Sequence, residues 1–277
     1  MLILACGPLG NPGDTTERVK LALQTAQFIA AEDSRKLSRL THDLGVTYVG
    51  KVISYFEGNE NERLDQLTEI MLSGADLLVI TDAGAPGISD PGYRLIRRAI
   101  DHDVAIQVLP GPSAVITALL LSGLATDRFC FEGFSPRTSG TRKSWYEKLL
   151  TEERTIIFFE APHRLQGSLV DAQAIFGPDR KLAICREMTK NYEETVRGTI
   201  SELLMWSTDR EILGEITIVM EGFDSSAHSH TVEELVVLVL AREAAGESRK
   251  DAIASLAKEL NLPKRVVFDA MVGSKAR

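Results

Sequence analysis

The stretch TDAGAPGISDPG, Thr81 to Gly92, places three glycines, two prolines and two aspartates within twelve residues. It follows directly on the apolar run Leu77–Ile80, which predicts a buried strand. Glycine allows positive φ and close approach of the backbone to a ligand, whereas proline stiffens a loop. In an open α/β sheet, ligands bind beyond the carboxyl ends of the strands, where loops of this kind meet. The stretch therefore predicts a ligand-binding turn at a strand end of an α/β sheet.

Glycine- or proline-marked turns also follow other predicted strands. GPLGNPGD comes after residues 2–6, PGPSA after 104–109, and EAPHR after 154–159. Any one of them could be an ordinary tight turn, but four such turns at strand ends favour a shared binding cleft. Further strands are predicted at 182–186 and 215–221. Because helical segments separate the strands, the pattern predicts a parallel α/β architecture.

The domain organisation is predicted from changes in this pattern. The first helix is expected to begin at Asp14, with Glu17 completing a D-x-x-E capping box and Ala30 on the buried face. Residues 123–154 mix aromatic, basic and turn-forming residues, which indicates a linker or loop. We expect an N-terminal α/β domain at residues 1–112, a second α/β domain at 113–223 and a small helical tail at 231–277.

The tail carries clear helix signals. Thr231 with Glu234 forms a capping box, Ser248 with Asp251 repeats the pattern, and Pro263 begins a third helix. Three short helices joined in this way resemble a helix-turn-helix, whose last helix enters a nucleic-acid groove. A docking or dimerisation bundle is the alternative. The tail has a net charge of only +1, which keeps that alternative open.

Composition limits the class of protein. The 277 residues carry a net charge of −8 and 44% hydrophobic residues, which is typical of a soluble protein, and no membrane segment is expected. Negative net charge excludes a nucleic-acid partner only weakly, because electrostatic footprints are local. Three widely spaced cysteines show no metal-ligand spacing, so no metal site is predicted. With no secretory signal at the start, a reduced, cytoplasmic location is expected.

The residues of the predicted turns indicate the charge of the ligand. They lack the dinucleotide fingerprint, the phosphate-binding loop and the nucleophile elbow. They supply Asp82, Asp90 and many backbone amides and carbonyls, but little positive charge. Such a cleft suits a neutral or cationic ligand better than a polyphosphate. An adenosine with a sulfonium and an amino-acid tail would fit.

The chain resembles the tetrapyrrole methylase family of S-adenosylmethionine-dependent methyltransferases. The segments that carry the resemblance include AAEDSRK, TDAGAPGISDPGYRLI, LPGPSAVITALLLSGL, FFEAPHRL, CREMTK and GEITIVMEG, spread over almost the whole length. DAGAPGISDPG and FFEAPHR resemble in particular the branch that methylates a cytidine 2′-hydroxyl in small-subunit ribosomal RNA. The first loop, Cys6-Gly7-Pro8-Leu9, departs from the Ala-Thr-Pro-Ile pattern more frequent there.

The resemblance implies two α/β domains with S-adenosylmethionine in the cleft between them, and a homodimer. It implies small-subunit rRNA or the assembled small ribosomal subunit as the partner. Carried over by position, it also implies contacts between the cofactor and ten residues: Pro8, Asp82, Ala83, Gly84, Ile88, Ser113, Ala114, Phe131, Pro162 and Ile216.

The chemistry calls for alignment of a ribose 2′-oxygen with an already activated methyl group, and for a proton acceptor. The candidate catalytic residues are Asp33, Glu160, His163 and Lys190. Each has a structural alternative. Asp33 could form a local ion pair with Arg35, Glu160 could cap the following helix, and His163 could be an ordinary surface histidine.

Basic residues suited to RNA phosphates occur in three places. The candidates are Arg164 and Arg186 near strand ends, Arg137, Arg142 and Lys143 in the segment 135–148, and Lys264 and Arg265 in the tail. In the segment 135–148, Trp145 and Tyr146 could stack on bases. The alternative is an amphipathic helix with Trp145 and Leu149 packed inward.

Two other functions remain open on the sequence alone. One is a tetrapyrrole or precorrin methyltransferase, although those family members usually have a G-x-G-x-G first loop, unlike GPLGNPGD, and lack the tail. The other is a non-enzymatic regulator that senses a ligand with its body and binds DNA with its tail. The catalytic-site resemblance outside the tail favours the rRNA methyltransferase.

Overall fold

The first half of the chain forms a five-stranded parallel sheet covered by helices on both faces. The structure, a computed structural model, describes residues 1–208, 210–224, 231–260 and 262–273. The strands run in the order β3-β2-β4-β1-β5. They are β1 (Leu2–Ala5), β2 (Phe28–Ala31), β3 (Lys51–Ser54), β4 (Leu77–Ile80) and β5 (Ile106–Leu109). The covering helices are α1 (Glu17–Thr25), α2 (Ser34–Asp43), α3 (Glu60–Leu72) and α4 (Tyr93–Asp101).

The central strands are apolar throughout because helices cover them from both sides. Every residue of β1 and β4 is buried, as expected of parallel strands between two helical layers. Val19 and Leu37 of α1 and α2 pack on one face, and Leu67 and Leu95 of α3 and α4 pack on the other. This sandwich leaves the carboxyl ends of the strands open, which is where the site lies.

One predicted helix start is wrong. Residues Pro12–Asp14 form a single 3₁₀ turn, and α1 begins at Glu17 with Thr16 as its N-cap. The Thr16 hydroxyl accepts a hydrogen bond from the Val19 amide at 3.3 Å, so the expected capping box does not form. Ala30 lies in β2 and not on the helix.

The second half forms another five-stranded sheet, of mixed direction, in the order β6-β7-β10-β8-β9. β6 and β7 are parallel, whereas β7, β10, β8 and β9 pair antiparallel. The prediction of a parallel architecture is therefore correct for the first sheet and wrong for most of the second. The strands are β6 (Phe129–Phe134), β7 (Thr155–Glu160), β8 (Lys181–Arg186), β9 (Glu194–Thr199) and β10 (Ile216–Met220).

The helices of this half cover both faces of the second sheet. They are α5 (Ala114–Ser122), α6 (Ser139–Leu149), α7 (Leu165–Phe176) and α8 (Ile200–Thr208). α5 packs on one face through Ala118 and Leu119, and α6, α7 and α8 form a second core on the other face. Residues 123–154 contain β6 and α6, so the predicted linker there is wrong.

The tail is a separate cluster of three helices: α9 (Val232–Ala244), α10 (Arg249–Glu259) and α11 (Lys264–Gly273). The Thr231 capping box is confirmed, and the Ser248 side chain caps α10 as predicted. These helices bury their own core, which includes Val239, Leu256 and Val267. No helix in the described ranges combines the length and apolar content needed to span a bilayer.

Candidate active site

A cleft of about 310 Å³ opens beyond the carboxyl ends of β1, β2 and β4. The loop after β1 contributes Pro8, the loop after β2 contributes Asp33, and the loop after β4 contributes Asp82. Lys190 and Glu215, from loops next to β8 and β10 of the second sheet, complete the wall. Parallel strands bring their loops to one edge, and the second sheet closes that edge. The cleft therefore takes its walls from both halves of the chain.

The loops after β1 and β8 touch across this cleft. The Asn11 amide donates a hydrogen bond to the Thr189 hydroxyl at 3.2 Å. The Lys190 side chain lies directly on Gly10, where a Cβ atom would overlap its Cγ. Glu187 and Thr189 both have positive φ, 50° and 66°, which is unusual for residues with side chains. Held strain of this kind is typical of functional loops.

Lys190 is a fixed cation and not a proton acceptor. Its Nζ lies 2.9 Å from Glu187 Oε1 and 2.9 Å from Glu215 Oε2. Burial alone would lower the pKa of Lys190, but the hydrogen bonds to these carboxylates outweigh it and raise the pKa. The prediction of Lys190 as a site residue agrees with its place in the cleft, and its chemistry there is that of a positive charge.

Carboxylates from two loops are linked at the floor of the cleft. Asp82 accepts a hydrogen bond from the Asp33 amide at 3.2 Å and pairs with Lys36 Nζ at 2.8 Å. The Asp82 amide in turn donates to Glu32 Oε2 at 3.0 Å. Burial raises the pKa of Glu32, and the nearby Asp82 charge adds to the effect. The floor therefore carries more negative than positive charge.

Asp33 is held by its own helix. Its carboxylate caps α2 by accepting the Arg35 amide at 2.8 Å, and it also pairs with the Arg35 guanidinium at 2.7 Å. These hydrogen bonds hold the pKa of Asp33 far below its usual range. The alternative of a local ion pair is thus confirmed. A carboxylate of such low basicity is a poor general base.

Asp90 differs from Asp33 because its basicity is raised. Burial, together with the negative charges of Glu32, Asp82 and Glu215, raises the pKa of Asp90 to about 7. The sequence placed Asp90 in a cleft turn without assigning it a catalytic role. Its setting among acids from three separate loops could not be deduced from its neighbours in the chain.

Of the remaining predicted cofactor contacts, Ala83 lines the cleft and the others lie in different settings. Gly84 has a φ of 70° and forms paired backbone hydrogen bonds with Gly7, at 2.8 and 3.2 Å, which join the loops after β1 and β4. Ala83 lines the cleft wall and Ile88 is 50% exposed. Ser113 is the N-cap residue of α5.

Three predicted contacts lie in the second half of the chain. Ala114 and Phe131 pack against the core under α5, where the Phe131 ring lies edge-on to Phe159 at 4.9 Å. Ile216 is 3% exposed and packs in the core on the opposite face of the sheet. This burial contradicts a cofactor contact through the Ile216 side chain.

The turn after β7 is organised around a buried carboxylate. Glu160 is 2% exposed and accepts hydrogen bonds from the Ser135 hydroxyl and the Ala161 amide. Arg164 pairs with it at 2.8 Å. Glu160 thus fixes the turn, and this enclosure is at odds with its prediction as a general base. His163 is exposed on the same turn, which begins at Pro162.

The predicted basic loop is a helix, and its central arginine is part of the core. Arg142 is 4% exposed and binds Asp171 of α7 through Nε at 2.9 Å and Nη2 at 2.5 Å. Tyr146 is buried and Trp145 packs on the same core. The prediction that Arg142 binds RNA and that these rings stack on bases is at odds with this burial, which matches the amphipathic-helix alternative. Lys143 is 44% exposed and lies 3.5 Å from Asp171.

The other predicted RNA contacts differ in availability. Arg186 pairs with Glu194 at 2.9 Å and is 20% exposed, and Arg164 is 16% exposed beside Glu160. Arg137 is exposed before α6. Lys264 and Arg265 lie exposed at the start of α11. The tail and the segment before α6 therefore offer accessible cations, whereas the strand ends do not.

The sequence of this chain is similar to those of known proteins. The profile of the family described as Tetrapyrrole (Corrin/Porphyrin) Methylases matches residues 1–204. The chain therefore belongs to the tetrapyrrole methylase family. A Mycobacterium bovis protein named Ribosomal RNA small subunit methyltransferase I is 43% identical over 275 residues, covering 99% of this chain and 95% of its own length. A Bacillus subtilis protein of the same name is 37% identical over 98% of this chain and 93% of its own length.

Solved structures show the same fold at low identity. The methyltransferase CobJ superposes with a TM-score of 0.60 at 17% identity, over 80% of this chain and 93% of its own. A uroporphyrin-III C-methyltransferase from Thermus thermophilus, complexed with S-adenosyl homocysteine, gives a TM-score of 0.54 at 15% identity, over 79% and 95%. At this level of identity the likeness concerns the fold alone.

Proposed function

We propose that this chain transfers a methyl group from S-adenosylmethionine to small-subunit ribosomal RNA, at the 2′-hydroxyl of a cytidine. The observation that supports it best is the 43% identity with a protein named for rRNA methylation, which covers 99% of the chain and so includes the tail. The methyltransferase CobJ shares the fold at only 17% identity. We propose the rRNA and not a tetrapyrrole as the methyl acceptor.

The charges of the cleft fit the cofactor. S-adenosylmethionine carries a sulfonium and an ammonium, and the acids that line the cleft, Glu32, Asp33 and Asp82 among them, outnumber its basic residues. Pro8, Ala83 and the carboxylate of Asp82 are the groups that would hold it. When bound, the cofactor supplies an electrophilic methyl group.

The chain's own residues must then align and deprotonate the acceptor hydroxyl. A general base works best with a pKa near the working pH, and Asp90, with a pKa raised to about 7, meets that condition. We assign Asp90 as the candidate base. Lys190, held between Glu187 and Glu215, would fix the wall of the cleft that faces the acceptor.

The base assignment predicts a particular pH profile. Wild-type kcat should rise about tenfold per pH unit below pH ~7 and level off above it, because only ionised Asp90 accepts the proton. Asp90→Asn should lower kcat by about 10²- to 10⁴-fold, a much larger loss than any change in S-adenosylmethionine affinity measured by calorimetry. Asp101→Asn, on the exposed surface of α4, is the matched control. Unchanged kcat in Asp90→Asn would remove Asp90 from the chemistry.

The substrate is tested by mapping ribose methylation. Small-subunit rRNA from cells with and without this gene would be digested and compared by mass spectrometry, and then treated with the purified enzyme and S-adenosylmethionine. We expect one cytidine to lose its 2′-O-methyl group without the gene and to regain it in the test tube. Identical methylation maps would exclude the proposal.

The tail is proposed to dock the enzyme on the small subunit. It forms its own core and exposes Lys264 and Arg265, so removing it should leave the cleft intact. Truncation after Gly222 should preserve S-adenosylmethionine affinity, weaken subunit binding and reduce the salt dependence of binding, since fewer counterions are released. Equal affinities and equal salt slopes would mean that the tail stabilises the fold or a homodimer instead. We propose a homodimer acting in the cytoplasm as the working form.

A further inference from the structure

Among the residues that the structure describes, one cation of the cleft wall forms no ion pair. Three basic side chains line the cleft, Lys36, Arg39 and Lys190. Lys36 pairs with Asp82 at 2.8 Å, and Lys190 pairs with two glutamates at 2.9 Å. Arg39 is exposed, and within the part of the chain that the structure describes it forms no ion pair. Its guanidinium is thus available to an anion that comes to the cleft.

Helix α4 shows the opposite arrangement on the same sheet. Each of its arginines faces a carboxylate at 3.3 to 3.5 Å: Arg94 with Glu60, Arg97 with Asp101 and Arg98 with Asp65. These arginines cover the protein surface and are neutralised by the chain itself. On α2, by contrast, Arg39 forms no ion pair among the described residues, although the exposed Asp43 lines the same cleft four residues further along the helix.

We propose that Arg39, together with Arg35 on the same face of α2, binds the RNA phosphates that flank the nucleotide entering the cleft. This inference rests on the proposed function. A ribose within a strand cannot enter without its two phosphates, and the acids of the floor, Glu32 and Asp82 among them, would repel them. Guanidinium groups bind phosphate oxygens in pairs, with defined direction.

The geometry of α2 supports two successive contacts. Residues four apart share a helix face and stand about 6 Å apart along the axis, so Arg35 and Arg39 can meet neighbouring phosphates of one strand. Arg35 is paired with Asp33 but its side chain is 89% exposed. Exposed pairs are weak, so its guanidinium can turn toward a phosphate without a large loss.

The test compares two surface arginines in the full-length protein. Arg39→Gln and the control Arg97→Gln each remove one charge from a helix of the first sheet. Both would be titrated against purified small ribosomal subunits at several salt concentrations, and S-adenosylmethionine affinity would be measured in parallel. We expect Arg39→Gln to weaken subunit binding several-fold and to reduce the slope of log K against log salt by about 0.7, as for one phosphate on a single strand. Arg97→Gln should match wild type.

Further outcomes separate this inference from the proposed function. Arg39→Lys should keep the salt slope while losing part of the affinity, because it keeps the charge but not the paired geometry. If wild type binds and methylates the subunit but Arg39→Gln behaves like Arg97→Gln, the inference is wrong and the function stands. A loss of S-adenosylmethionine affinity in Arg39→Gln would also overturn it, by making Arg39 part of the cofactor wall. If wild type neither binds nor methylates the subunit, the function itself fails.

Discussion

The buried carboxylate of Asp171 and the carboxylates near the cleft differ in how far the chain neutralises their charge. Asp171 is enclosed between α6 and α7, where Arg142 donates two hydrogen bonds at 2.9 and 2.5 Å and Ser139 donates one at 2.8 Å. Glu32 lines the open cleft and Asp90 lies within reach of its acids, and burial together with these negative charges raises the pKa of each. The chain neutralises the first group itself, so that group stabilises the fold. The second group is short of positive charge, so a cationic ligand gains most there.

Breaking the enclosed pair should give the largest effect on stability. Arg142→Met removes a guanidinium that is 5% exposed and leaves Asp171 buried without its main partner. Loss of one member of a buried ion pair costs about 3–5 kcal/mol. We expect urea denaturation to show a loss of that size in the free energy of unfolding. A loss below about 1 kcal/mol would mean that Asp171 is not the enclosed charge described here.

The cleft carboxylates should give a smaller effect that depends on pH. The folded-state pKa of Asp90 is raised from 3.8 to about 7, so the stability linked to its neutral form is fully present below pH ~4 and is lost as pH rises through ~7. Asp90→Asn removes this dependence. Its advantage over wild type should grow by about 2 kcal/mol between pH 4 and pH 8, after allowance for partial exposure. Denaturation at both pH values measures the difference, and a constant difference would contradict the raised pKa.

The smallest effect is expected at the edge of the enclosed pair. Lys143 approaches Asp171 at 3.5 Å, but its side chain is 44% exposed. Exposed ion pairs contribute about 0–1 kcal/mol, so Lys143→Met should change the free energy of unfolding by no more than that. Lys143 and Arg142 pair with the same carboxylate but differ in burial. Comparing the losses of stability in the two variants therefore shows how much burial adds to the strength of an ion pair. Equal losses would show that contact alone decides the energy.

The sequence predicts those parts of the fold whose signals are local. The tail helices follow from capping patterns at Thr231 and Ser248, and β4 from a continuous apolar run. β2, with the sequence FIAA, is not predicted from the sequence because alanine favours helix. β3 and β9 are edge strands, in which Ile53 of β3 is buried and the other residues are partly buried or exposed. β6 contains a glycine and a register shift. These strands form because a neighbouring strand pairs with them.

The site was predictable at the level of loops and not of side chains. The turn at Asp82 and the first loop were placed correctly in one cleft, because strand ends meet in an α/β sheet. The burial of Arg142 depends on Asp171, 29 residues further along the chain. The raised pKa of Asp90 depends on its burial in the fold and, in addition, on Glu32 and Glu215 from other loops. No local pattern reports such distant partners.

The contact between Gly10 and Lys190 means that the residue at each of these two distant positions constrains the residue at the other. A methyl group at position 10 would occupy the space of the Lys190 stem, so an alanine there demands a shorter residue at position 190. A shorter residue, however, abandons the bridge between Glu187 and Glu215. We therefore expect substitutions at positions 10 and 190 to occur together. A side chain added at position 10 alone would overlap Lys190, and a shorter residue at position 190 alone would leave a gap between the two halves of the chain.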